Sequence, residues 1–437
     1  MSMLTPRSGL VAFMLVAGCS GGDTGALTED GGTISAEALA EYTAGTEFFD
    51  RRIGRADADS AVARFGRAVE LAPDHAASWA GLSQARMWLE FNQGVAGQLP
   101  LAQQAAARAE TLAPDAAETH MAKGYVAYWG LADLDTALQE FLAAEEVDSE
   151  DATVAGAIGN VYRRQGELRE AIQYYERRVE LDPSHTQGLV TLAGTYNGVG
   201  RYADVARVAT ELRALGDSRG PVWDFWAHFN GGDTASAFAI VPEIRAEAGE
   251  PGYFDLLPAI IRRDDDAATA LADSIGYDVG GGLRFEESYL LYHTGQVEEH
   301  ADAFESWIGN LTASLDADAG SAARALHLES SRRRNLALLE ALRGNEAEAR
   351  SHAERVLELQ PQLHDVWGSS GHRYGVALTY VLLGDNDTAL GILESLSEQG
   401  FGTSSGWLQH HPSLDPLRGE PRFYDVIQAE RAVEKLR

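Results

Sequence analysis

The chain has 437 residues, of which 45% are hydrophobic and 23% are charged, and its formal net charge is 35 − 66 = −31. This composition is typical of globular proteins and excludes wholesale disorder, a collagen-like fibre and a polytopic membrane protein. The acidic balance argues against nucleic-acid binding, because phosphate contacts need clustered Lys and Arg. The single cysteine excludes an intrachain disulfide and a cysteine-based zinc site.

The first predicted element is an apolar stretch over residues 9–18 that follows Arg7. It has the length of a signal-peptide core and is too short to cross a bilayer as a helix. The stretch runs into Val-Ala-Gly-Cys at 16–19, which resembles a bacterial lipobox. That resemblance implies a lipoprotein signal peptide over 1–18 and lipidation of Cys19. The alternatives are an ordinary cleaved signal, or a chance apolar start with a buried cysteine.

The same resemblance implies a location. The protein would lie on the periplasmic side of the cell envelope and be held to the membrane through Cys19. Ser20, rather than Asp, follows the cysteine, which in lipoprotein sorting favours the outer membrane. Residues 19–35 are rich in Gly, Thr and acidic residues. Such a segment buries too little apolar surface to offset the entropy of ordering, so we predict a flexible tether there.

The body of the chain repeats one pattern. An Ala is followed twelve residues later by a Pro that closes a Val/Leu-Glu-Leu-x-Pro sequence, from Ala61 to Pro73, from Ala171 to Pro183 and from Ala349 to Pro361. This pattern resembles the tetratricopeptide repeat, a helix–turn–helix unit of about 34 residues. The resemblance implies an all-α fold, a solenoid of helical hairpins wound as a right-handed superhelix with a C-terminal cap. The small residues let two helices approach closely, and the Pro cannot continue the second helix.

The quality of the pattern divides the body into three regions. We expect an N-terminal repeat array over 36–219, divergent helical repeats over 220–329, and further repeat units with a cap over 330–437. In the divergent region, apolar residues from Leu256 to Ile261 follow a helical spacing, and Gly276–Gly282 reads as a break. No sustained period-two alternation occurs, so no sheet is predicted.

The last repeat has an apolar face that no further repeat covers, and terminal units must cover such a face. We predict that five apolar residues of the C-terminal segment do so: Leu414, Leu417, Phe423, Val426 and Ile427. The segment 409–423 also resembles the ending of repeat arrays that follow bacterial signalling modules.

A search for catalytic motifs finds no phosphate-binding loop, no nucleophile elbow and no His-Glu-x-x-His sequence. Asp264–Asp266 contains oxygen ligands suited to a divalent cation, but an acidic cluster favoured by a helix dipole is the better interpretation. His410–His411 is better explained as part of a capping loop than as a metal site. We therefore predict no enzyme activity, no cofactor and no metal.

In the tetratricopeptide family, positions 2, 5, 9 and 12 of the first helix of each unit line a concave groove. Carried over to this sequence, the resemblance places eight residues there: Gln84, Met87, Met121, Tyr125, Tyr128, Asn160, Arg163 and Asn197. Tyr rings together with Asn and Arg side chains suit an extended peptide. The Lys positions of the family's carboxylate clamp are not Lys here, so its C-terminal peptide ligand is not predicted. The alternative is that these residues are merely tolerated on a solvated surface.

Three functions follow from these patterns. The leading hypothesis is a membrane-anchored scaffold or adaptor that binds partner peptides or proteins of the cell envelope in its groove, with no nucleic acid involved. The second is a regulatory or sensory partner of a separate envelope signalling enzyme, which the C-terminal resemblance favours. The third is an enzyme whose site lies in the divergent region.

Overall fold

The computed structural model of the chain describes residues 25–27, 33–51, 54–249, 252–275, 292, 296–315, 322–363, 365–399 and 405–436. Apart from one short two-stranded ribbon, these residues form helix pairs joined by short turns, which confirms the predicted all-α fold class. The chain clusters into two compact units. The first holds residues up to Ser149 together with 319–324, and the second holds residues 150–318 and 325–437. The predicted signal peptide and Cys19 lie outside the described residues.

The first unit contains six α-helices within its described residues: α1 (Ala36–Arg51), α2 (Arg55–Leu71), α3 (Ala76–Phe91), α4 (Leu99–Leu112), α5 (Ala117–Tyr125) and α6 (Leu134–Val147). Each helix packs against the next one in the chain. The Phe65 ring is 2% exposed and lies between Gly45 and Gly81, where an added Cβ would clash with the ring. Glycine at these two places allows three helices to close around one aromatic side chain.

One extra residue in the α5–α6 hairpin is absorbed inside the helix. Residues Val126–Leu131 continue α5 as a π-helix, and Ala132 then adopts the left-handed conformation with φ of 53°. A π-helical turn accommodates one more residue than an α-turn does. The repeat therefore keeps its hairpin, although its sequence is longer than the pattern.

A short ribbon precedes α1. Strands β1 (Gly25–Leu27) and β2 (Thr33–Ser35) pair antiparallel, in a stretch for which we predicted a flexible tether. No larger sheet occurs in the described part of the chain. Ile34 is 2% exposed, and the Ser35 hydroxyl accepts a hydrogen bond from the Ala38 N–H at 3.2 Å, at the start of α1. One buried isoleucine and one capping hydroxyl fix the end of this segment, which the average composition does not reveal.

The second unit contains the remaining described helices: α7 (Ala152–Gln165), α8 (Leu168–Leu181), α9 (Thr186–Gly198), α10 (Tyr202–Ala214), α11 (Arg219–Asn230), α12 (Thr234–Ala248), α13 (Tyr253–Arg262), α14 (Asp265–Ile275), α15 (Ala301–Leu315), α16 (Ala322–Leu342, from residue 325 onward), α17 (Glu346–Leu359), α18 (Val366–Leu382), α19 (Asn386–Glu398), α20 (Ser405–His410) and α21 (Pro421–Leu436). Short 3₁₀ turns follow α17 at Gln360–Gln362 and α20 at Pro412–Leu417.

The α7–α8 hairpin shows why the repeat residues are needed. Ala171 is fully buried, and a Cβ added to Gly159 would come within 2.8 Å of the Tyr175 ring. Gly166 ends α7 with φ of 89°, a left-handed conformation that glycine adopts without steric cost. The predicted Ala positions Ala61 and Ala349 are likewise fully buried. The close helix contact inferred from small residues is confirmed.

The divergent region is helical where the structure describes it. The predicted apolar face of α13 is buried, with Leu256 and Leu257 at 1% and 0% exposure. Leu257 and Ile261 pack with Phe225 and Phe229 of α11 in one cluster. The predicted break at Gly276–Gly282 lies outside the described residues.

Two polar clusters have capping roles, as predicted. The Asp264 carboxylate accepts a hydrogen bond from the Ala267 N–H at 3.1 Å, at the start of α14. His411 is fully buried, and its Nδ1 accepts from the Ser413 N–H at 3.3 Å, at the start of the 3₁₀ turn. In both cases the side chain accepts a hydrogen bond from a backbone N–H at the start of a helix, which has no partner within that helix.

The C-terminal cap is confirmed. All five predicted residues are at most 6% exposed: Leu414, Leu417, Phe423, Val426 and Ile427. They share one hydrophobic cluster with Tyr380 of α18 and Leu393 of α19. The cap therefore covers the apolar face of the last helix pair.

Candidate protein-binding face

Helices α7 and α9 are the first helices of two successive pairs, and the face that they form is called the α7–α9 face. α7 begins where the Asp151 carboxylate accepts a hydrogen bond from the Thr153 N–H at 2.6 Å. α9 begins where His185 Nδ1 accepts from the Gly188 N–H at 3.0 Å. These caps fix both starting points, and therefore which residues of each helix share this face.

Three of the predicted groove residues lie on this face and contact the chain itself. The Asn160 side-chain oxygen accepts a hydrogen bond from the Tyr175 hydroxyl at 2.7 Å, and that of Asn197 accepts from the Asn230 amide at 2.8 Å. The Arg163 guanidinium lies 5.7 Å from the centre of the Trp367 ring. All three are partly exposed, and each contacts a side chain of a different helix.

The segment that covers the α7–α9 face is the start of α18. Trp367 lies against Gly198, where an added Cβ would overlap the indole ring. The Arg164 Nε donates to the Asp365 carboxylate at 3.2 Å. Arg164 is only 8% exposed, so the ion pair is shielded from solvent, and removing one partner would leave the other charge uncompensated. Arg164 therefore holds the Asp365 carboxylate, and Arg163 and Gly198 contact the Trp367 ring two residues further on.

Sequence reasoning did not find Arg164, Gly198, Asp365 or Trp367. The Arg164–Asp365 contact spans 201 residues, and no local pattern reports so distant a contact. Gly198 at the end of a first helix was the available signal, because glycine inside a helix often marks a close approach.

Most of the predicted groove residues of the first unit are buried. Met87, Met121, Tyr125 and Tyr128 are 0%, 5%, 4% and 6% exposed. The prediction that these four line an accessible groove is therefore wrong. Gln84 alone among the five first-unit candidates remains partly exposed.

The physical reason is aromatic packing inside the hairpin. The Tyr125 ring stacks on Trp129 at 4.3 Å and meets Phe141 edge-on at 5.1 Å. Tyr128 lies 6.5 Å from the same Phe141 ring. Rings at these separations bury large apolar areas, so the positions that open onto a groove in other repeats become core here.

Within the part of the chain that the structure describes, no three His, Cys, Asp or Glu side chains are placed to hold a metal ion. None of the described helices is both long and apolar enough to cross a membrane.

The family model for the tetratricopeptide repeat matches residues 155–187. The chain carries a tetratricopeptide repeat. The matched residues cover most of α7, all of α8 and the first residues of α9, so the α7–α9 face is built by the tetratricopeptide repeat and the helix that follows it.

Several solved structures are similar to this chain. PilW, described as a widely conserved type IV pilus biogenesis factor, is 16% identical, with 50% of this chain and 96% of PilW covered and a TM-score of 0.39. PilF of Pseudomonas aeruginosa is 16% identical, with coverages of 48% and 91% and a TM-score of 0.37. A tetratricopeptide repeat protein from Parabacteroides merdae is 16% identical, with coverages of 58% and 97% and a TM-score of 0.36. No curated protein matches the chain.

Proposed function

We propose that this protein is a non-catalytic scaffold of the bacterial cell envelope that binds partner polypeptides on the α7–α9 face. The observation that carries the proposal is the docked start of α18. Arg164 holds the Asp365 carboxylate, and Gly198 and Arg163 receive the Trp367 ring. A face that binds a polypeptide segment of its own chain has the chemistry to bind one from a partner.

The same contacts define the partner's chemistry. The chain carries a formal charge of −31, yet two neighbouring guanidinium groups meet on this face. We infer a partner segment that presents a carboxylate close to an aromatic ring, because Arg pairs with the former and stacks on the latter. Such a segment would compete with residues 365–367 for the contacts with Arg163, Arg164 and Gly198.

The test is capture of partners from detergent-solubilised envelope by two variants with opposite expected effects. Arg163→Ala removes a contact of the face, and we expect about tenfold weaker capture, which corresponds to about 1.4 kcal/mol. Trp367→Ala removes the ring that covers Gly198 and Arg163, and we expect stronger capture of partners. Arg177→Ala, an exposed change on α8, is the matched control and should capture like the wild type.

Thermal melting of each variant separates binding from folding. If Arg163→Ala and Trp367→Ala both capture the same proteins in the same amounts as the wild type, the α7–α9 face is not the working surface.

We further propose that Cys19 is lipidated and anchors the protein on the periplasmic side of the outer membrane. The lipobox-like sequence supports this, and two or more acyl chains suffice for stable anchoring. A palmitate analogue fed to cells should label the wild type and Ser20→Ala but not Cys19→Ala, and the unlabelled variant should leave the membrane fraction. Equal labelling of Cys19→Ala would contradict the anchor while leaving the binding proposal intact.

A further inference from the structure

A pocket of about 390 Å³ lies in the second unit. Its walls come from the start of α8, from the turn between α9 and α10, and from Gln399, which follows α19. Its lining includes none of the residues that hold Asp365 and Trp367. The volume falls within the range of about 300–1,000 Å³ that is usual for small-molecule sites.

The floor of the pocket is apolar and already formed. Ile172 and Val199 line it and are 7% and 2% exposed. Both belong to the hydrophobic cluster of helices α8, α9 and α10, and Leu168 packs against that cluster. Because these side chains are fixed by the core, the floor needs no rearrangement to receive a hydrocarbon group.

Two of the charged groups at the rim are already engaged. The Arg201 Nε donates to the Asp204 carboxylate at 2.7 Å, and its guanidinium lies 4.3 Å from the centre of the Tyr196 ring. The Glu176 carboxylate accepts from the Tyr196 hydroxyl at 2.5 Å and lies 3.6 Å from Arg201. Burial and this hydrogen bond raise the pKa of Tyr196, so its hydroxyl keeps donating to Glu176 throughout the neutral range.

The remaining polar groups are available to a ligand. Arg169 lines the pocket, and the part of the chain that the structure describes supplies it with no ion pair or hydrogen bond. The Gln399 side-chain oxygen accepts from Arg373 at 2.7 Å, which leaves the amide NH₂ as the group it can offer. Within the described residues, the rim therefore presents one unpaired cation, Arg169, and two amide side chains, Gln173 and Gln399, above an apolar floor.

We propose that this pocket binds an aliphatic carboxylate, with the carboxylate on Arg169 and Gln399 and the hydrocarbon group on Leu168, Ile172 and Val199. A single free guanidinium matches a monoanion, and the guanidinium fork fits a carboxylate in two hydrogen bonds. The ligand is either a free short-chain acid or the carboxyl end of a peptide with an aliphatic last residue. Both sources share the chemistry that the pocket recognises.

The probe is hexanoate, and hexanamide is its uncharged counterpart. Saturation-transfer NMR on the full chain in lipid nanodiscs, with empty nanodiscs as the baseline, should show hexanoate methyl signals that hexanamide does not give. Arg169→Gln should raise the dissociation constant at least tenfold. Arg177→Gln, an exposed change further along α8, should leave it unchanged. Arg169 is exposed and unpaired within the described residues, so its replacement should not affect folding.

A second arm uses an acetylated tripeptide that ends in leucine, with a free or an amidated carboxyl group. Binding of hexanoate supports a free acid, and binding of the free-carboxyl peptide alone supports a peptide end. The proposal is overturned if neither probe binds, if hexanamide or the amidated peptide binds equally well, or if Arg169→Gln binds like the wild type. Since the pocket and the α7–α9 face are lined by different residues, none of these results bears on the scaffold proposal.

Discussion

The two units put the same repeat positions to different uses. At positions 9 and 12 of a first helix, the first unit has Tyr125 and Tyr128, which are buried against Phe141. The second unit has Asn160 and Arg163, which stay partly exposed and contact Tyr175 and Trp367. The difference teaches that a repeat position does not by itself determine exposure. Aromatic side chains complete the core of their own hairpin, whereas polar ones remain on a surface where a second segment can dock.

The largest expected effect is on the buried side of this comparison. Tyr125→Ala removes a ring that stacks on Trp129, and we expect a loss of about 3–5 kcal/mol in the free energy of unfolding. Asn160→Ala at the equivalent position removes one hydrogen bond and should cost only about 1 kcal/mol. Urea unfolding of both variants measures the difference. Tyr424→Ala, 55% exposed, is the control and should stay within about 0.5 kcal/mol of the wild type.

If Tyr125→Ala and Asn160→Ala cost the same, the two positions are equivalent, and the distinction between a packed and an open first helix is wrong.

Mild acid should destabilise the second unit through a buried histidine. Burial lowers the pKa of His372, on α18, to about 3, with neighbouring His327 and Arg334 acting in the same direction. An unfolded His protonates near pH 6.5, so between pH 6.5 and 3 the unfolded state binds more protons and stability falls as the pH is lowered. At pH 5 the loss from this group is about 2 kcal/mol. Glu329, Glu394 and Asp415, whose pKa values are lowered, lose their contribution only at lower pH.

The measurement is the free energy of unfolding between pH 7 and 5 for the wild type and His372→Gln. Gln can still hydrogen-bond to Ser330, which lies 2.8 Å from His372 Nδ1, but it does not titrate. The variant should therefore show a shallower slope. His411, whose pKa burial lowers to about 3, and His352, whose pKa burial also lowers, contribute to the remaining slope. An unchanged slope in the variant would show that His372 is accessible to protons in the folded protein.

The docked segment can be tested by a pair of changes. Gly198→Ala places a Cβ where the Trp367 ring lies, and we expect a loss of about 1–3 kcal/mol from overpacking. In the Trp367→Ala background the same change should be neutral or stabilise by up to about 1 kcal/mol, because Ala is a better helix former than Gly. This double-mutant cycle, measured by urea unfolding, isolates the contact. Additive effects would mean that the two residues do not meet.

The smallest expected effect is the loss of stability when a helix-capping Asp is replaced, and it should be similar in the two units. Asp133 in the first unit and Asp264 in the second each cap a helix, accepting hydrogen bonds from the Thr136 and Ala267 N–H groups, both at 3.1 Å. Each Asp→Ala change should cost about 1 kcal/mol, seen as similar shifts of the urea midpoint. Clearly unequal costs would show that capping depends on the surrounding unit rather than on the local sequence.

Much of the fold was determined by the sequence alone. The fixed spacing from Ala171 to Pro183 predicts a hairpin, because a small residue lets two helices touch and a proline ends the second one. The apolar residues from Leu414 to Ile427 predict a cap, because the last repeat must cover its open face. Both features depend on contacts within one hairpin or between neighbours in the chain, so the local sequence contains them.

The binding surface was decided only by the tertiary structure. The repeat pattern predicts Tyr128 and Arg163 as equivalent groove residues. In the structure Tyr128 is buried in the core, whereas Arg163 contacts the indole ring of Trp367. Packing of Trp129 and Phe141 decides the first, and a segment some 200 residues away decides the second. The pocket beside Arg169 likewise joins two turns to Gln399, more than 200 residues away in the chain. Exposure is a property of the neighbours that a residue acquires on folding, and a local pattern does not contain those neighbours.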